Sequence, residues 1–218
     1  MIDPLELYET GLCTGSGAME TATGARWALP IRAWSSEPDD GDRGLLDRCL
    51  GPTLDVGCGP GRLTADLGRR GTPALGVDIS AVAVALTRAR GGTALRRDVF
   101  GRMLGEHRWR HVLLADGNVG IGGDPIRMLW RCRDLLDPGG SVLLDVEPPG
   151  TGLRAGSVRL VDGERTSAWF AWAWLGADAL TSVAAAAGLG VRALWQVTGA
   201  SGPRWQAELE PSDRWPCR

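Results

Sequence analysis

The sequence LDVGCGPGR at Leu54–Arg62 is followed by GVDIS at Gly76–Ser80. The first segment predicts a short apolar strand that enters a glycine-rich turn, with a helix beginning near Gly61 or Arg62. Glycines in such a turn allow positive φ and let the backbone come into contact with a ligand. Together the two segments indicate a nucleotide-like cofactor at the edge of a parallel sheet.

The turn departs from the G-x-G-x-x-G pattern of nicotinamide dinucleotide enzymes. Counted from Gly57, the third glycine of that pattern falls on Arg62, and Gly61 stands one position early. The acid that precedes the turn, Asp55, is unfavourable beside a pyrophosphate because like charges repel, but favourable beside a cation. The turn therefore indicates a cofactor that carries positive charge.

These segments resemble the class I S-adenosylmethionine-dependent methyltransferases, motif by motif over residues 45–147 and by strand order beyond. The resemblance implies that Asp55 and the turn hold the amino-acid part of S-adenosyl-L-methionine. It also implies that Asp78 binds the ribose hydroxyls and that Asp98, in LRRDVF, lies near the adenine amino group. The predicted cofactor-binding residues are Asp55, Gly57, Cys58, Gly59, Gly61, Arg62, Asp78, Ile79, Asp98, Val99, Phe100, Ala115 and Asp116.

Each of these assignments has a purely structural alternative. The glycines could form only a tight strand–helix turn, and Asp98 could be a solvated turn residue. Asp78 could cap the following helix, although Ser80 is better placed for that role. These alternatives stay open at the level of sequence.

Composition limits the classes of protein and of partner. A chain of 218 residues with 44% hydrophobic residues can bury one substantial core. A net charge of -2 and a pI near 5.7 provide no basic face for nucleic acid. Without an 18-residue apolar run or a secretory leader, we expect a cytoplasmic protein that does not contact a membrane. The cysteines (Cys13, Cys49, Cys58, Cys132 and Cys217) are odd in number without a C-x-x-C pair, so we expect neither disulfides nor a metal site.

Beyond the first motif the pattern alternates between strands and amphipathic helices, which predicts parallel pairing with helices on both faces. The fold class is α/β: a Rossmann-like seven-stranded mostly parallel sheet with an antiparallel last strand, the latter as in the methyltransferase family. The predicted strands are Thr53–Val56, Pro73–Val77, Thr93–Arg97, Arg110–Ala115, Ser141–Val146, Val191–Val197 and Arg204–Leu209. The predicted helices are Arg43–Leu50, Arg62–Arg69, Ser80–Arg90, Pro125–Leu136 and Ala177–Ala187, with a turn at Asp137–Gly140.

Two segments lie outside this scheme. Residues 1–44 are predicted to be an N-terminal capping segment with a hairpin at Ala18–Ile31. Residues 45–218 are predicted to be the S-adenosylmethionine-binding methyltransferase domain, with a hairpin insertion at 150–174. That insertion turns at Asp162-Gly163, a dipeptide typical of tight hairpins. Both hairpins could cap the ligand face of the sheet.

The second hairpin is rich in aromatic residues. Strand alternation places Phe170, Trp172 and Trp174 on one face and Trp169 on the other. Three interpretations fit this face: hydrophobic core, the seam of a homodimer, or an aromatic substrate pocket.

The candidate catalytic residues follow from the rule that ligands lie beyond the carboxyl ends of parallel strands. Asp116 and Asn118 follow the fourth predicted strand and Glu147 follows the fifth, so these three are predicted to be catalytic. Asp145 and Glu147 alternate along their strand, so at most one of them is expected to point into the cleft. His107 and His111 are disfavoured because they fall at the opposite end of the fourth strand. Tyr8 and Glu9 are candidates to close over the site.

The function predicted from these residues is transfer of a methyl group from S-adenosyl-L-methionine to a small-molecule hydroxyl or amine, with no metal. The N/D-P-P-Y/F motif used on nucleobase and glutamine amino groups is absent. One alternative is an NAD(P)-dependent oxidoreductase, in which Asp78 would bind an adenine ribose. Another is a non-catalytic cofactor-binding partner subunit.

Overall fold

The computed structural model describes residues 1–200 and 202–212. Its helices are α1 (Pro4–Thr14), α2 (Ile31–Trp34), α3 (Asp40–Leu46), α4 (Arg62–Arg69), α5 (Ala81–Ala89), α6 (Pro125–Leu135) and α7 (Leu180–Ala186). Its strands are β1 (Ala18–Thr21), β2 (Arg26–Ala28), β3 (Thr53–Val56), β4 (Ala74–Asp78), β5 (Ala94–Arg96), β6 (Trp109–Leu114), β7 (Leu136–Val146), β8 (Leu153–Asp162), β9 (Arg165–Thr166), β10 (Phe170–Leu175), β11 (Leu189–Gly199) and β12 (Gly202–Pro211). Cys217 lies outside the described residues, and the other four cysteines are free.

The larger sheet has seven strands in the order β5-β4-β3-β6-β7-β12-β11. Neighbours from β5 to β7 pair in parallel, whereas β12 runs antiparallel to both β7 and β11. The predicted fold class, with its antiparallel last strand, is confirmed. The order reverses at β3, so the carboxyl ends of β3 and β6 border the crevice where an open α/β sheet binds its ligand.

Both faces of this sheet are covered by helices. Val112 and Leu114 pack in a buried cluster that contains residues of α6 and α7. Leu113 points the other way and packs in a cluster with residues of α3 and α4. Burial on both faces explains why β6 reads as a continuous apolar run instead of an alternating one.

The structure differs from the predicted elements in several places, among them the short helix α2, which was not predicted, and α7, which begins at Leu180 instead of Ala177. Helix α3 begins at Asp40, three residues early, because Asp39 and Asp42 form a reciprocal capping box. The prediction omitted α1, which has Asp3 as its N-cap and proline at its first position. Strand β7 begins at Leu136, so Asp137–Gly140 lies within the strand, where the register with β6 shifts.

A second, antiparallel sheet joins the two predicted hairpins. Its order is β10-β8-β1-β2, with β9 paired to β8. The N-terminal hairpin joins the 150–174 hairpin through pairing of β1 with β8, from Ala18 opposite Val161 to Thr21 opposite Val158. Two isolated bridges, Ile121 to Trp172 and Glu147 to Gly176, connect this sheet to the edge of the larger one. Among the described residues, no helix has the length and apolar character needed to cross a membrane.

Candidate active site

A cavity of about 760 Å³ lies between the carboxyl ends of the parallel strands and the second sheet. Its volume is in the range of sites for small molecules and cofactors. Most of the residues predicted from the sequence line it, namely Asp55, Gly57, Cys58, Gly59, Arg62, Asp78, Ile79, Asp98, Val99, Ala115, Asp116, Asn118 and Glu147. His107 and His111 do not line it, and no group of three or more His, Cys, Asp or Glu among the described residues could hold a metal ion.

The glycine turn after β3 exposes bare backbone to the cavity. Gly57 and Gly59 have φ values of 69° and 53°, which favour glycine. A Cβ atom on Gly57 would lie 2.7 Å from the Asn118 amide nitrogen. The amide groups of Gly57 and Cys58 both donate to the Val77 carbonyl, which anchors the turn to β4. A fixed concave backbone surface of this kind fits a cofactor that must approach closely.

Two predicted cofactor residues, Gly61 and Phe100, do not line the cavity. Gly61 has φ 84°, and a Cβ atom there would lie 2.6 Å from Thr87, so this glycine allows α4 to pack against α5. The Phe100 ring packs under the Arg127 guanidinium, 4.2 Å from its centroid. Proximity in sequence to the motifs suggested a ligand role for both residues, and that role stays a prediction.

Asp78, at the end of β4, is fixed by the turn that it faces. Its two carboxylate oxygens accept hydrogen bonds from the amides of Ser80 (2.8 Å) and Gly59 (3.0 Å). Ser80 itself caps α5, because its hydroxyl accepts from the Ala83 amide. The alternative that Asp78 is the helix cap is therefore wrong. Burial raises the pKa of Asp78, and the amides of Ser80 and Gly59 oppose that rise.

Asp98 lies after β5 and is exposed, with one oxygen accepting from the Phe100 amide at 2.9 Å. The contact is a short turn, as the structural alternative expected, and the side chain also lines the cavity. The two interpretations of Asp98 are thus compatible.

Asp55 is an acid buried inside β3, 2% exposed. Its carboxylate accepts from the Thr64 hydroxyl at 2.6 Å. Burial raises its pKa from 3.8 to about 6, although the Thr64 hydrogen bond and Arg62 oppose the rise. The folded protein therefore carries an unfavourable buried charge here at neutral pH.

We expect the Asp55→Asn variant to be more stable than the parent at pH 8 and equally stable near pH 4. Because the folded-state pKa is raised, the contribution of Asp55 to stability is present in acid and is lost as pH rises through 6. A shift of about two pKa units corresponds to about 3 kcal/mol. Urea unfolding at both pH values measures the difference in free energy of unfolding between the variant and the parent. A difference that does not change with pH would contradict the raised pKa of Asp55. Asp47→Asn, a change at an exposed ion pair with Arg70, is the control and should shift stability by less than about 1 kcal/mol.

An ion-pair network closes one side of the cavity. The Arg204 guanidinium contacts Asp145 at 2.5 Å, Asp42 at 2.9 Å and Asp116 at 3.4 Å. Arg62 pairs with Asp42 and with Asp116, the latter at 2.5 Å. The pKa of Asp116 is raised, chiefly by burial and further by Asp145 and Asp42, although the two arginines oppose the rise. The sequence prediction missed Asp42 and Arg204 because they lie 162 residues apart and belong to no motif.

The side chain of Asn118 holds the glycine turn in place. Its side-chain amide donates to the carbonyls of Val56 (2.9 Å) and Gly57 (3.0 Å). It lies in a short 3₁₀ helix, Asn118–Gly120, which follows β6. Its amide nitrogen is therefore occupied in holding the turn.

Both Asp145 and Glu147 line the cavity, which corrects the expectation that at most one of them would. Asp145 is occupied, since it accepts from the Asp116 amide, the Gln206 amide and Arg204. The Glu147 carboxylate makes no hydrogen bond or ion pair with any residue that the structure describes. Burial raises the pKa of Glu147, with a further contribution from Asp145.

The aromatic face of β10 lines the cavity, as the pocket interpretation predicts. Phe170, Trp172 and Trp174 all line it, and Trp27 of β2 meets Trp174 edge-on at 5.8 Å. Trp169 is 42% exposed on the other face.

Helix α1 covers the glycine turn. Tyr8 lines the cavity, and its hydroxyl would lie 3.5 Å from a Cβ atom on Gly59. Burial raises the pKa of that hydroxyl, and Asp78 adds to the rise. Glu9 accepts from the Ser80 hydroxyl at 2.8 Å, which ties α1 to the start of α5. Both residues thus lie where the sequence analysis expected a closing segment.

Comparison with known proteins addresses the family. Residues 53–140 match the family model described as a methyltransferase domain. An 83-residue alignment is 46% identical to the ribosomal RNA small subunit methyltransferase C of Chromohalobacter salexigens. That alignment covers 32% of this chain and only 25% of the relative, so the chain spans about a quarter of that protein's length.

Solved structures share the fold over most of the chain. The S-adenosylmethionine-dependent methyltransferase from Bacteroides fragilis, crystallised with S-adenosyl-L-homocysteine, matches with a TM-score of 0.76 at 18% identity, covering 96% of this chain and 95% of that one. The CcbJ methyltransferase from Streptomyces caelestis matches with a TM-score of 0.61 at 20% identity, covering 82% and 92%. A Burkholderia thailandensis 1,6-didemethyltoxoflavin-N1-methyltransferase matches with a TM-score of 0.55 at 19% identity, covering 74% and 71%.

The family model falls on the strands and the glycine turn that border the cavity, and the first of these structures matches almost the whole chain. The neighbour from Bacteroides fragilis binds the demethylated cofactor, which is consistent with the predicted S-adenosyl-L-methionine. Residues 53–140 match a methyltransferase domain, and the chain as a whole has the fold of solved S-adenosylmethionine-dependent methyltransferases.

Proposed function

We propose that this chain methylates a hydroxyl or an amine of a small molecule, with S-adenosyl-L-methionine as the methyl donor. The observation that carries the proposal is the single cavity shared by the glycine turn, Asp78 and the aromatic strand β10. One half has the bare backbone and acids that fit the cofactor. The other half is apolar and covered by the second sheet, which suits a small acceptor.

The residues that would hold the cofactor fit its chemistry. Gly57 and Gly59 offer backbone without side chains, and Asp55 and Asp78 supply negative charge near a ligand that carries an ammonium and a sulfonium. Bound there, the cofactor supplies an electrophilic methyl group on a good leaving group, so alignment and exclusion of water can account for much of the rate. Helix α1 and β10 line the cavity and would limit the access of water to it, and Asn118 keeps the turn in position.

The three predicted catalytic residues are not equally suited to proton transfer. Asp116 is ion-paired with Arg62, and the Asn118 amide is bonded to the turn, so both are better suited to positioning. Glu147 has a free carboxylate with a raised pKa, a property useful to a group that must accept a proton near neutral pH. We therefore assign the proton-accepting role to Glu147.

A small acceptor is favoured over ribosomal RNA for this chain. The match to a ribosomal RNA methyltransferase covers only a third of the chain. The net charge of -2 does not favour a polyanionic substrate. One structural neighbour, the 1,6-didemethyltoxoflavin-N1-methyltransferase, holds the small molecule 1,6-didemethyltoxoflavin together with S-adenosylhomocysteine. Cytoplasmic location and a homodimer stay predictions.

Isothermal titration of the purified protein with S-adenosyl-L-methionine and S-adenosyl-L-homocysteine tests the proposal. We expect both to bind with micromolar affinity and NADH not to bind. Binding of NADH without binding of either methionine derivative would return the oxidoreductase alternative, which the comparisons do not favour. Binding without turnover in a mass-spectrometric screen of metabolite acceptors would favour the partner-subunit alternative.

A further inference from the structure

We infer that the acceptor is a cationic amine on a flat, apolar body, with the ammonium group held by Glu147 and the body held by the aromatic face of β10. This inference rests on the proposed function and narrows it from hydroxyl or amine to amine.

The first step concerns the carboxylates of the cavity. Seven of the described residues that line it are acidic. Six have partners inside the protein: Asp3 (the Leu5 amide), Asp55 (Thr64), Asp78 (the Gly59 and Ser80 amides), Asp98 (the Phe100 amide), Asp116 (Arg62) and Asp145 (Arg204). The seventh, Glu147, makes no such contact with the residues that the structure describes. Among these seven carboxylates it is the one with no hydrogen bond or ion pair, so both of its oxygens are available to a ligand.

The second step concerns the cations. Three arginines line the cavity within the described residues, and two of them, Arg62 and Arg204, are ion-paired with its acids. The third, Arg97, follows β5, whereas Glu147 follows β7. Strands β4, β3 and β6 lie between them, so at about 4.8 Å per strand the two are roughly 19 Å apart. No described cation of the cavity lining therefore neutralises Glu147, and an anionic acceptor would be repelled there.

The third step places the aromatic surface beside this charge. The Glu147 amide donates to the carbonyl of Leu175, the residue after Trp174, at 2.8 Å. Trp172 pairs with Ile121, and its indole nitrogen would lie 3.0 Å from a Cβ atom on Gly120. The aromatic face thus extends from Glu147 to the short helix that supports the glycine turn. Indole faces attract cations as well as flat apolar groups.

The fourth step separates the two ligands. The acids assigned to the cofactor, Asp55 and Asp78, lie on β3 and β4, and Glu147 lies two strands beyond β3 on the other side of the order reversal. A cation bound at Glu147 would therefore not displace the cofactor. Its charge would offset the cost of keeping the Glu147 carboxylate ionised in a half-buried site.

Three probes of matched shape test this inference on the protein saturated with S-adenosyl-L-homocysteine: phenethylamine, 2-phenylethanol and phenylacetate. We expect phenethylamine to bind at least tenfold more tightly than the alcohol, and phenylacetate most weakly. Glu147→Gln should weaken the binding of phenethylamine by about 10- to 100-fold, because a charge-assisted hydrogen bond is lost. The same variant should leave the affinity for 2-phenylethanol unchanged. Trp172→Leu should weaken the binding of the amine and of the alcohol to the same extent. Glu164→Gln, at an exposed turn outside the cavity, removes the same charge and should change none of these affinities.

The outcomes separate the inference from the proposed function. If S-adenosyl-L-homocysteine binds but phenethylamine does not bind at millimolar concentration, or binds no better than the alcohol, the inference is wrong and the proposed function stands. If S-adenosyl-L-homocysteine itself fails to bind the parent protein, the proposed function fails first. Titration of S-adenosyl-L-homocysteine into Glu147→Gln shows whether that variant is folded, and a folded variant with unchanged amine affinity overturns the role of Glu147.

Discussion

Replacing Asp78 with alanine is expected to weaken the binding of S-adenosyl-L-homocysteine by roughly 1000-fold. The resemblance assigns Asp78 to the two ribose hydroxyls, and each hydrogen bond to a buried carboxylate contributes about 2 kcal/mol, so two contribute about 4 kcal/mol. The same carboxylate also accepts from the Gly59 and Ser80 amides, so its loss loosens the turn that it faces. Isothermal titration of the variant and the parent measures the effect.

The control for Asp78→Ala must lose stability without touching the cavity. Asp124→Ala removes the N-cap of α6, whose carboxylate accepts from the Arg127 amide at 3.0 Å, and Asp124 does not line the cavity. It should lower stability by about 1 kcal/mol and leave the affinity unchanged. A folded Asp78→Ala protein that binds within threefold of the parent would show that Asp78 is not a cofactor residue.

Local signals explain what could be predicted from the sequence. The bounds of α4, Arg62–Arg69, agree with the prediction because the glycine turn and the following apolar spacing both act over a few residues. Ser80 was identified as a cap for the same reason. A tight turn joins β8 to β9 close to the predicted Asp162-Gly163 dipeptide, but Asp162 still pairs with Arg165, so the turn residues are Gly163 and Glu164, and the pairing of β8 with β10 begins only at Phe170.

The features that could not be predicted from the sequence depend on contacts between residues far apart in the chain. The pairing of β1 with β8 joins residues about 140 positions apart, and no periodicity in either strand specifies the other. The Asp42–Arg204 pair is of the same kind. Glu147 was expected to alternate with Asp145, but the strand ends at Val146, and a bridge to Gly176 redirects the backbone of Glu147. Sequence patterns therefore identified the residues around the glycine turn better than the contacts by which the second sheet and the ion-pair network complete the cavity.

Replacing Arg204 with alanine is expected to lower the free energy of unfolding by about 3–5 kcal/mol, because it leaves buried carboxylates without their partner. Burial alone lowers the pKa of the Arg204 guanidinium, but Asp145 and Asp116 raise it well above its usual value. A loss of this size corresponds to a fall of about 10 °C in Tm for a domain of this length. Urea unfolding and thermal melting measure both quantities.

A matched surface variant and a double variant make the Arg204 prediction specific. Arg192→Ala removes an arginine from the neighbouring strand β11, where the side chain is 55% exposed and its pairs with Glu208 and Glu210 are long. The Arg192→Ala variant should lower the free energy of unfolding by less than about 1 kcal/mol. Adding Asp145→Asn to Arg204→Ala should recover part of the loss, because the amide is neutral and can keep its contact with Gln206. Equal losses for the two arginine variants, or no recovery in the double variant, would mean that the network does not hold this side of the cavity together.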